Sequence, residues 1–382
     1  MKRVAVLGGG PAGAFAAEKL ANAGLDVSLL DEKLAWEKPC GGGLTYKAYS
    51  QYPFLIENGT PKRIVRQTYL ATSRTGAAKL DLTKPVVIYS RIELNQMLLD
   101  RAEAAGAQIE KTRVLEIERK GRGWAVRTRA GKMDVDYCVV ATGARNTLRD
   151  VGTQWTTGDT MVALGYYVPT VQEHIDIQFF RRFEGYIWVF PRNGHLSVGI
   201  CGRGESAQSL RLRLEKYMAE KDIPTTGATF YGHVLPSLQR PTWKRNRVSG
   251  DGWMAVGDAA GLVDPITGEG LYYAIRSADL ATDLLVAGQA ESYRARLQGD
   301  FTDDLEVASR LAKRLFLHNF LCGSVPERMI QFMRRSPTFC EVLQDLFAGT
   351  QNYLDLKPRL IQSLRGTFQE VALNLFHDQQ KI

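Results

Sequence analysis

Two hydrophobic periods alternate along the chain, and the switches between them mark its elements. Val4-Ala5-Val6-Leu7 is a short unbroken apolar run of the kind that forms a buried strand. Residues 11–23 carry Ala and Leu at helical spacing, Gly24 stops that helix, and Val27-Ser28-Leu29-Leu30 is the next strand. The opening therefore predicts one βαβ unit. Over residues 91–105, Leu94, Met97, Leu98, Ala102 and Ala105 fall on one helical face. After it, 114–117 and 124–128 read as paired strands, and 137–141 returns to a buried strand. Between residues 152 and 249 the pattern turns strand-rich and aromatic, as in 161–167, 175–180 and 186–190. Residues 253–287 read strand, Gly-Asp turn, long helix, and from about 292 the chain reads almost wholly helical. The pattern predicts an α/β protein in three parts. A discontinuous α/β domain takes residues 1–151 and 250–290, an inserted β-rich domain takes 152–249, and a helical C-terminal region takes 291–382.

Composition narrows the class. At 382 residues, 45% hydrophobic and 24% charged, the chain is globular and long enough for two sizeable cores. No apolar run reaches eighteen residues and Met1-Lys2-Arg3 leads directly into a short strand, so a cytoplasmic protein is expected. Five cysteines at wide spacing, with no Cys-x-x-Cys pair, argue against a disulfide framework and against structural zinc, and no metal site is expected. The net charge of +8 suits an anionic membrane surface or a phosphorylated substrate, and nucleic acid is not expected among the partners.

Gly8-Gly9-Gly10-Pro11-Ala12-Gly13 sets the spacing GxGxxG between the first strand and the first helix. Gly8 is expected to make the tight turn, Gly10 to admit a pyrophosphate to the helix N-terminus at Ala12, and Gly13 to let helix and strand pack closely. Asp31 ends the second strand about twenty residues on, where a carboxylate accepts ribose hydroxyls. This spacing alone leaves FAD and NAD both open. Three resemblances favour FAD. The strand Asp136-Tyr137-Cys138-Val139-Val140-Ala141-Thr142-Gly143 resembles the second FAD-side crossover of the glutathione-reductase-like superfamily. Gly257-Asp258-Ala259-Ala260-Gly261 resembles that superfamily's Gly-Asp motif, which implies that Asp258 bonds the ribityl chain. Arg91-Ile92-Glu93-Leu94 resembles the Arg-x-x-Leu element of p-hydroxybenzoate-hydroxylase-like flavoproteins, which implies that Arg91 approaches the phosphates. The implied fold is a Rossmann-type FAD-binding domain with an inserted β-rich substrate domain and a helical C-terminal region. Val114, opening the next strand, is placed on the cofactor side with them.

Further segments resemble the geranylgeranyl reductase family, flavoenzymes that saturate isolated C=C bonds of isoprenoid chains. Lys38-Pro39-Cys40-Gly41-Gly42-Gly43-Leu44 is similar to its Lys-Pro-Cys-Gly segment, and Gly185-Tyr186-Ile187-Trp188-Val189-Phe190-Pro191 to its Tyr-x-Trp-x-Phe-Pro signature. Pro265-Ile266-Thr267-Gly268-Glu269-Gly270-Leu271 is similar to its Pro-x-x-Gly-Glu-Gly segment. The resemblance places Cys40, Gly41, Gly42, Gly268, Gly270 and Leu271 on the flavin. It departs where the family often has Gly-x-Gly after the Phe-Pro, since this chain reads Gly199-Ile200-Cys201-Gly202.

No acid, base or nucleophile constellation stands out, so the chemistry is assigned to the cofactor. The family reading implies hydride from reduced flavin to one alkene carbon and a proton to the other. Tyr186 and Trp188 alternate along one strand and so share a face, which the resemblance makes the substrate cavity, with Cys40 at the ring. Only one GxGxxG is present, which leaves NAD(P)H as a transient visitor or a ferredoxin-like protein as donor. A monooxygenase or halogenase of the same fold, and a non-catalytic electron carrier or redox sensor, stay open as alternatives. A last expectation concerns residues 305–320, where apolar positions recur at helical spacing among Arg310, Lys313 and Arg314. It is that this helix makes peripheral membrane contact to collect a lipid substrate.

Overall fold

The computed structural model describes residues 2–363, so residues 364–382 of the expected C-terminal region lie outside the described residues. The chain forms two compact units. The first gathers Met1–Cys40, Ser90–Met161 and Val234–Ser309; the second gathers Gly41–Tyr89, Val162–His233 and the chain from Arg310 on.

The first unit is built on a six-stranded sheet in the order Ser249–Gly250, Trp253–Ala255, Tyr137–Val140, Arg3–Leu7, Asp26–Asp31, Gln108–Lys111. All neighbours are parallel except the short first edge strand. A parallel sheet is covered on both faces, which is why its central strands are unbroken apolar runs. Val4, Ala5, Val6 and Leu7 are all fully buried. The helix Pro11–Asn22 is tied to the helix Arg91–Ala104 by Arg101 on Glu18, and to the helix Leu271–Val286 by Lys19 on Asp279 and Asp283. A separate three-stranded sheet, Val114–Lys120, Gly123–Thr128 and Lys132–Val135, completes the unit.

The second unit holds an eight-stranded sheet in the order Thr229–Pro236, Thr160–Val168, Leu196–Gly202, Gly185–Pro191, Ile175–Phe179, Arg63–Thr72, Gly76–Ile88, Gly43–Leu44. Its strands divide their side chains by twos. Ile187, Val189, Val198 and Ile200 face one way and pack with Leu210, Leu214, Tyr217 and Met218 of the helix Ala207–Glu220. Tyr186 and Trp188 face the other way, their rings 6.3 Å apart and edge to face. The helices Val325–Met333 and Pro337–Ala348 pack on the long hairpin of this sheet. Arg334 donates to the carbonyls of Thr75 and Ala77, and Gln344 to that of Asp81.

One difference from the sequence reading has a clear cause. Residues 41–89, expected inside the nucleotide-binding domain, group with the eight-stranded sheet, because Arg63–Thr72 and Gly76–Ile88 form a hairpin that pairs with Ile175–Phe179. The C-terminal region is helical as expected in its described part, with a short two-stranded hairpin, Asn319–Phe320 with Gly323–Ser324, after the helix Asp303–Leu317.

Candidate functional site

The turn between the first strand and first helix uses its glycines in two ways. Gly8 sits at φ +119°, where a Cβ would lie 2.3 Å from the Ala141 carbonyl oxygen, and a Cβ on Gly13 would lie 1.8 Å from the Gly8 carbonyl oxygen. Both positions are closed by the protein's own backbone. Gly10 is the opposite case, with nothing within 4 Å of its added Cβ. It is also the N-cap of the helix Pro11–Asn22, and no side chain caps that end. The turn thus leaves open space at a helix terminus whose N–H groups point outward, the geometry that receives an anionic phosphate. Asp31 braces the same turn, accepting from the Gly9 N–H at 2.7 Å and, through its other oxygen, from the N–H groups of Lys33 and Leu34.

Arg91 opens its helix but is only 3% exposed. Its Nη2 donates to Asn95 Oδ1 at 3.1 Å, while its Nε is buried without a hydrogen-bond partner. Leaving a buried charged donor unmatched costs roughly 1–3 kcal/mol, so the position calls for an anionic acceptor. The N-terminus of this helix is already taken: the Glu37 carboxylate accepts from the N–H groups of Arg91 and Ile92. Glu37 was not among the residues picked out by motif, and its signal is modest, an acidic side chain whose turn lies 54 positions before the helix it caps.

The Gly-Asp turn closes the unit's polar cluster. Gly257, at φ +58°, brings the turn against Ala12 and Ala274, either of which an added Cβ would approach to 3.2–3.3 Å. Its N–H donates to Ser277 Oγ at 2.9 Å. Asp258 Oδ2 pairs with Lys38 Nζ at 3.2 Å, both side chains about one-fifth exposed. Gly143 and Gly270 flank the pair: an added Cβ would stand 3.9 Å from Lys38 Nζ in one case and 3.3 Å from Asp258 Oδ1 in the other. Gly270 is the N-cap of the helix Leu271–Val286 and offers no side chain to cap it. The turn before it is shaped by Asp264, whose side chain accepts from the N–H groups of Ile266 and Thr267 and whose backbone carbonyl accepts from the Gly268 N–H. Lys38 entered the sequence reading only as one letter of a motif; the fold brings it to Asp258 across 220 positions. Val114 opens the three-stranded sheet, paired with Thr128.

These residues fit a dinucleotide: an open cradle at Gly10, an orphaned cationic nitrogen at Arg91, and a carboxylate at Asp258 held by an ammonium. Cys40 ends the first segment of this unit and is half-buried.

Gly41, Gly42, Tyr186 and Trp188 belong to the second unit. There the glycine strap meets the aromatic signature, since a Cβ on Gly41 would lie 2.7 Å from the Phe190 ring and one on Gly42, at φ +84°, would lie 2.1 Å from the Tyr89 carbonyl oxygen. Fully buried Arg192 donates to the Gly41 carbonyl at 3.4 Å and lies over the Tyr167 ring at 5.1 Å. Trp188 is 7% exposed and donates from Nε1 to Ser197 Oγ, which is 3.0 Å from the Tyr231 hydroxyl. Tyr186 is half-buried and stacks on Phe316.

Comparison with known proteins follows this geometry. Residues 2–162 match the family described as pyridine nucleotide-disulphide oxidoreductase, and residues 88–312 match that described as FAD dependent oxidoreductase. The chloroplastic geranylgeranyl diphosphate reductase of Oryza sativa subsp. japonica is 29% identical over 347 residues, covering 81% of this chain and 72% of that protein. The menaquinone reductase of Mycolicibacterium smegmatis is 29% identical over 360 residues, covering 85% and 87%. Among solved structures, a geranylgeranyl bacteriochlorophyll reductase-like protein of Thermoplasma acidophilum superposes with a TM-score of 0.78 at 20% identity, over 94% of this chain and 98% of that one. A flavin-dependent brominase does so with a TM-score of 0.69 at 15% identity, over 96% and 99%. At these identities the structures share the fold.

Proposed function

We propose that this chain, which belongs to the FAD dependent oxidoreductase family, reduces isolated C=C bonds in the isoprenoid chain of a lipid. The observation that carries the cofactor part is the open, uncapped helix terminus at Gly10. The substrate part is supported by two named relatives, a geranylgeranyl diphosphate reductase and a menaquinone reductase, which share most of their length with this chain. Their substrates differ in head group and have a polyprenyl chain in common.

In this reading the terminus at Gly10, Ala12 and Gly13 receives the pyrophosphate, Asp31 the ribose hydroxyls, and Arg91 a phosphate oxygen through its unpartnered Nε. Lys38 holds the Asp258 side chain in place, so that its carboxylate can accept from the ribityl hydroxyls, and the helix terminus at Gly270 and Leu271 offers N–H donors to the ring. FAD, when bound and reduced, supplies hydride to one alkene carbon, and a proton reaches the other. The chain's own task is to lay an apolar substrate against Tyr186 and keep water away from it. A single dinucleotide motif leaves the donor as NAD(P)H in transit or a ferredoxin-like protein. Work on a lipid places the enzyme at a membrane surface for part of its cycle.

Mass spectrometry of lipid extracts from cells with and without the chain tests this directly. The expected result is isoprenoid lipids that gain pairs of hydrogens only when the chain is present. Lipids of unchanged saturation would reject the substrate.

A further inference from the structure

The helix Asp303–Leu317 has two faces with different fates. Leu305, Ala308, Ala312 and Phe316 are buried, and Phe316 stacks on Tyr186 with ring centroids 6.5 Å apart. The amphipathic face that the sequence offered to a membrane is therefore spent on the protein itself. On the other face, Arg310, Lys313 and Arg314 are exposed and make no ion pair among the described residues. Leu317 continues that face at the same helical spacing.

The hairpin that follows adds an apolar tip. Leu317, Phe320 and Leu321 are 39%, 42% and 54% exposed, a cluster of large apolar side chains within five positions. Asn319 pairs with Ser324 and Phe320 with Gly323, so the loop is the two residues Leu321-Cys322, at φ +47° and +60°. Both central residues of such a turn sit in the left-handed region, which Asn and Gly occupy without strain and leucine does not. The Arg328 guanidinium donates to the carbonyls of Phe320 and Leu321 and holds the loop in place. An apolar tip built on unfavourable backbone and braced into solvent does nothing for folding, which directs attention to what it meets outside the protein.

We propose that this tip docks on an anionic lipid bilayer. Phe320 and Leu321 enter the boundary between head groups and acyl chains, Leu317 lies along it, and Arg310, Lys313 and Arg314 meet the phosphates of the head groups. The charge of the exposed helical stripe selects this occupant, since three unpaired cations next to an apolar tip complement a surface that is anionic outside and apolar beneath. The surface stands on exposure and charge, not on the prenyl substrate, so either reading can fail alone.

Co-sedimentation of the FAD-loaded protein with phosphatidylcholine vesicles, with and without phosphatidylglycerol, tests it. Binding is expected only with phosphatidylglycerol and weaker at moderate salt than at low salt. Replacing Arg310, Lys313 and Arg314 together by Gln should weaken binding on the order of a hundredfold. Leu321→Asn is the sharper variant: it removes the apolar tip while supplying the residue the turn prefers, so Tm should hold or rise while vesicle binding falls about tenfold. No binding at low salt, equal binding to neutral vesicles, or wild-type binding by Leu321→Asn would each overturn the proposal.

Discussion

At the scale of single residues, the glycines separate what the fold needs from what a ligand needs. Gly13 is required by the protein, because an added Cβ would collide with the Gly8 carbonyl oxygen at 1.8 Å. Gly13→Ala is expected to cost roughly 1–3 kcal/mol or more, since the obstacle is backbone and cannot rotate away. Gly10 has open space instead, so Gly10→Val should cost only about 1 kcal/mol, the price of a poor N-cap residue, while abolishing FAD retention by filling the cradle. Thermal unfolding and flavin absorbance on the two variants check this. Gly10→Val that retains FAD would show the space serves no pyrophosphate. The tight turn at Gly8, the open space at Gly10 and the close packing at Gly13 were legible because a motif of small residues reports backbone geometry at short range. Lys38 and Glu37 were not, because each finds its partner through the fold: Asp258 lies 220 positions away, and the helix terminus at Arg91 lies 54 away.

At the scale of elements, the aromatic strand of the second unit shows why a shared face does not mean a shared role. Trp188 lies opposite Gly199, and a Cβ there would meet the indole at 2.2 Å, so the glycine makes room for the ring to lie flat on the sheet. Cys201 stands opposite Tyr186, and its thiol donates to the Tyr186 carbonyl. Trp188→Ala is expected to cost ~3–5 kcal/mol, as for a buried large side chain. Tyr186→Leu should leave Tm and flavin content nearly unchanged and cut turnover of prenyl substrates, because Tyr186 keeps accessible surface whereas Trp188 is buried. A Trp188→Ala protein of unchanged Tm, or a Tyr186→Leu protein of unchanged turnover, would reverse these roles. The strands Thr160–Val168, Ile175–Phe179 and Gly185–Pro191 were visible as strand-rich, aromatic runs, whereas Leu196–Gly202 and Thr229–Pro236 were not singled out. The hairpin at 63–88 was not, because a register shift between Val65 and Gln67 breaks the period, and the buried positions fall at Val65, Thr68, Leu70 and Thr72. The helix Ala207–Glu220 was passed over inside a strand-rich stretch, although Leu210, Leu214, Tyr217 and Met218 mark its buried side.

At the scale of the whole molecule, burial of titrating groups sets an alkaline limit. Burial pushes the thiols of Cys138 and Cys201 from 9.0 up to about 12, and the buried Tyr137 and Tyr217 hydroxyls move the same way. Above pH 9 the unfolded chain releases protons that the folded chain keeps, so the stability these thiols contribute is complete below pH 9 and is lost as pH rises toward 12. Each thiol weighs on the order of 1 kcal/mol per pH unit in that window. Urea unfolding midpoints should therefore fall from pH 9 to pH 10.5, and fall less in a protein carrying Cys138→Ala and Cys201→Ala; a midpoint constant over that range would contradict the assignment. Reduction of prenyl C=C bonds is decided by single-turnover chemistry without oxygen. Protein loaded with FAD, reduced by dithionite and mixed anaerobically with a polyprenyl diphosphate or a polyprenyl quinone should recover its oxidised flavin absorbance. Its product should carry two more hydrogens for each flavin reoxidised. Flavin that stays reduced until air is admitted, or a product that is hydroxylated or halogenated once it is, would contradict the account.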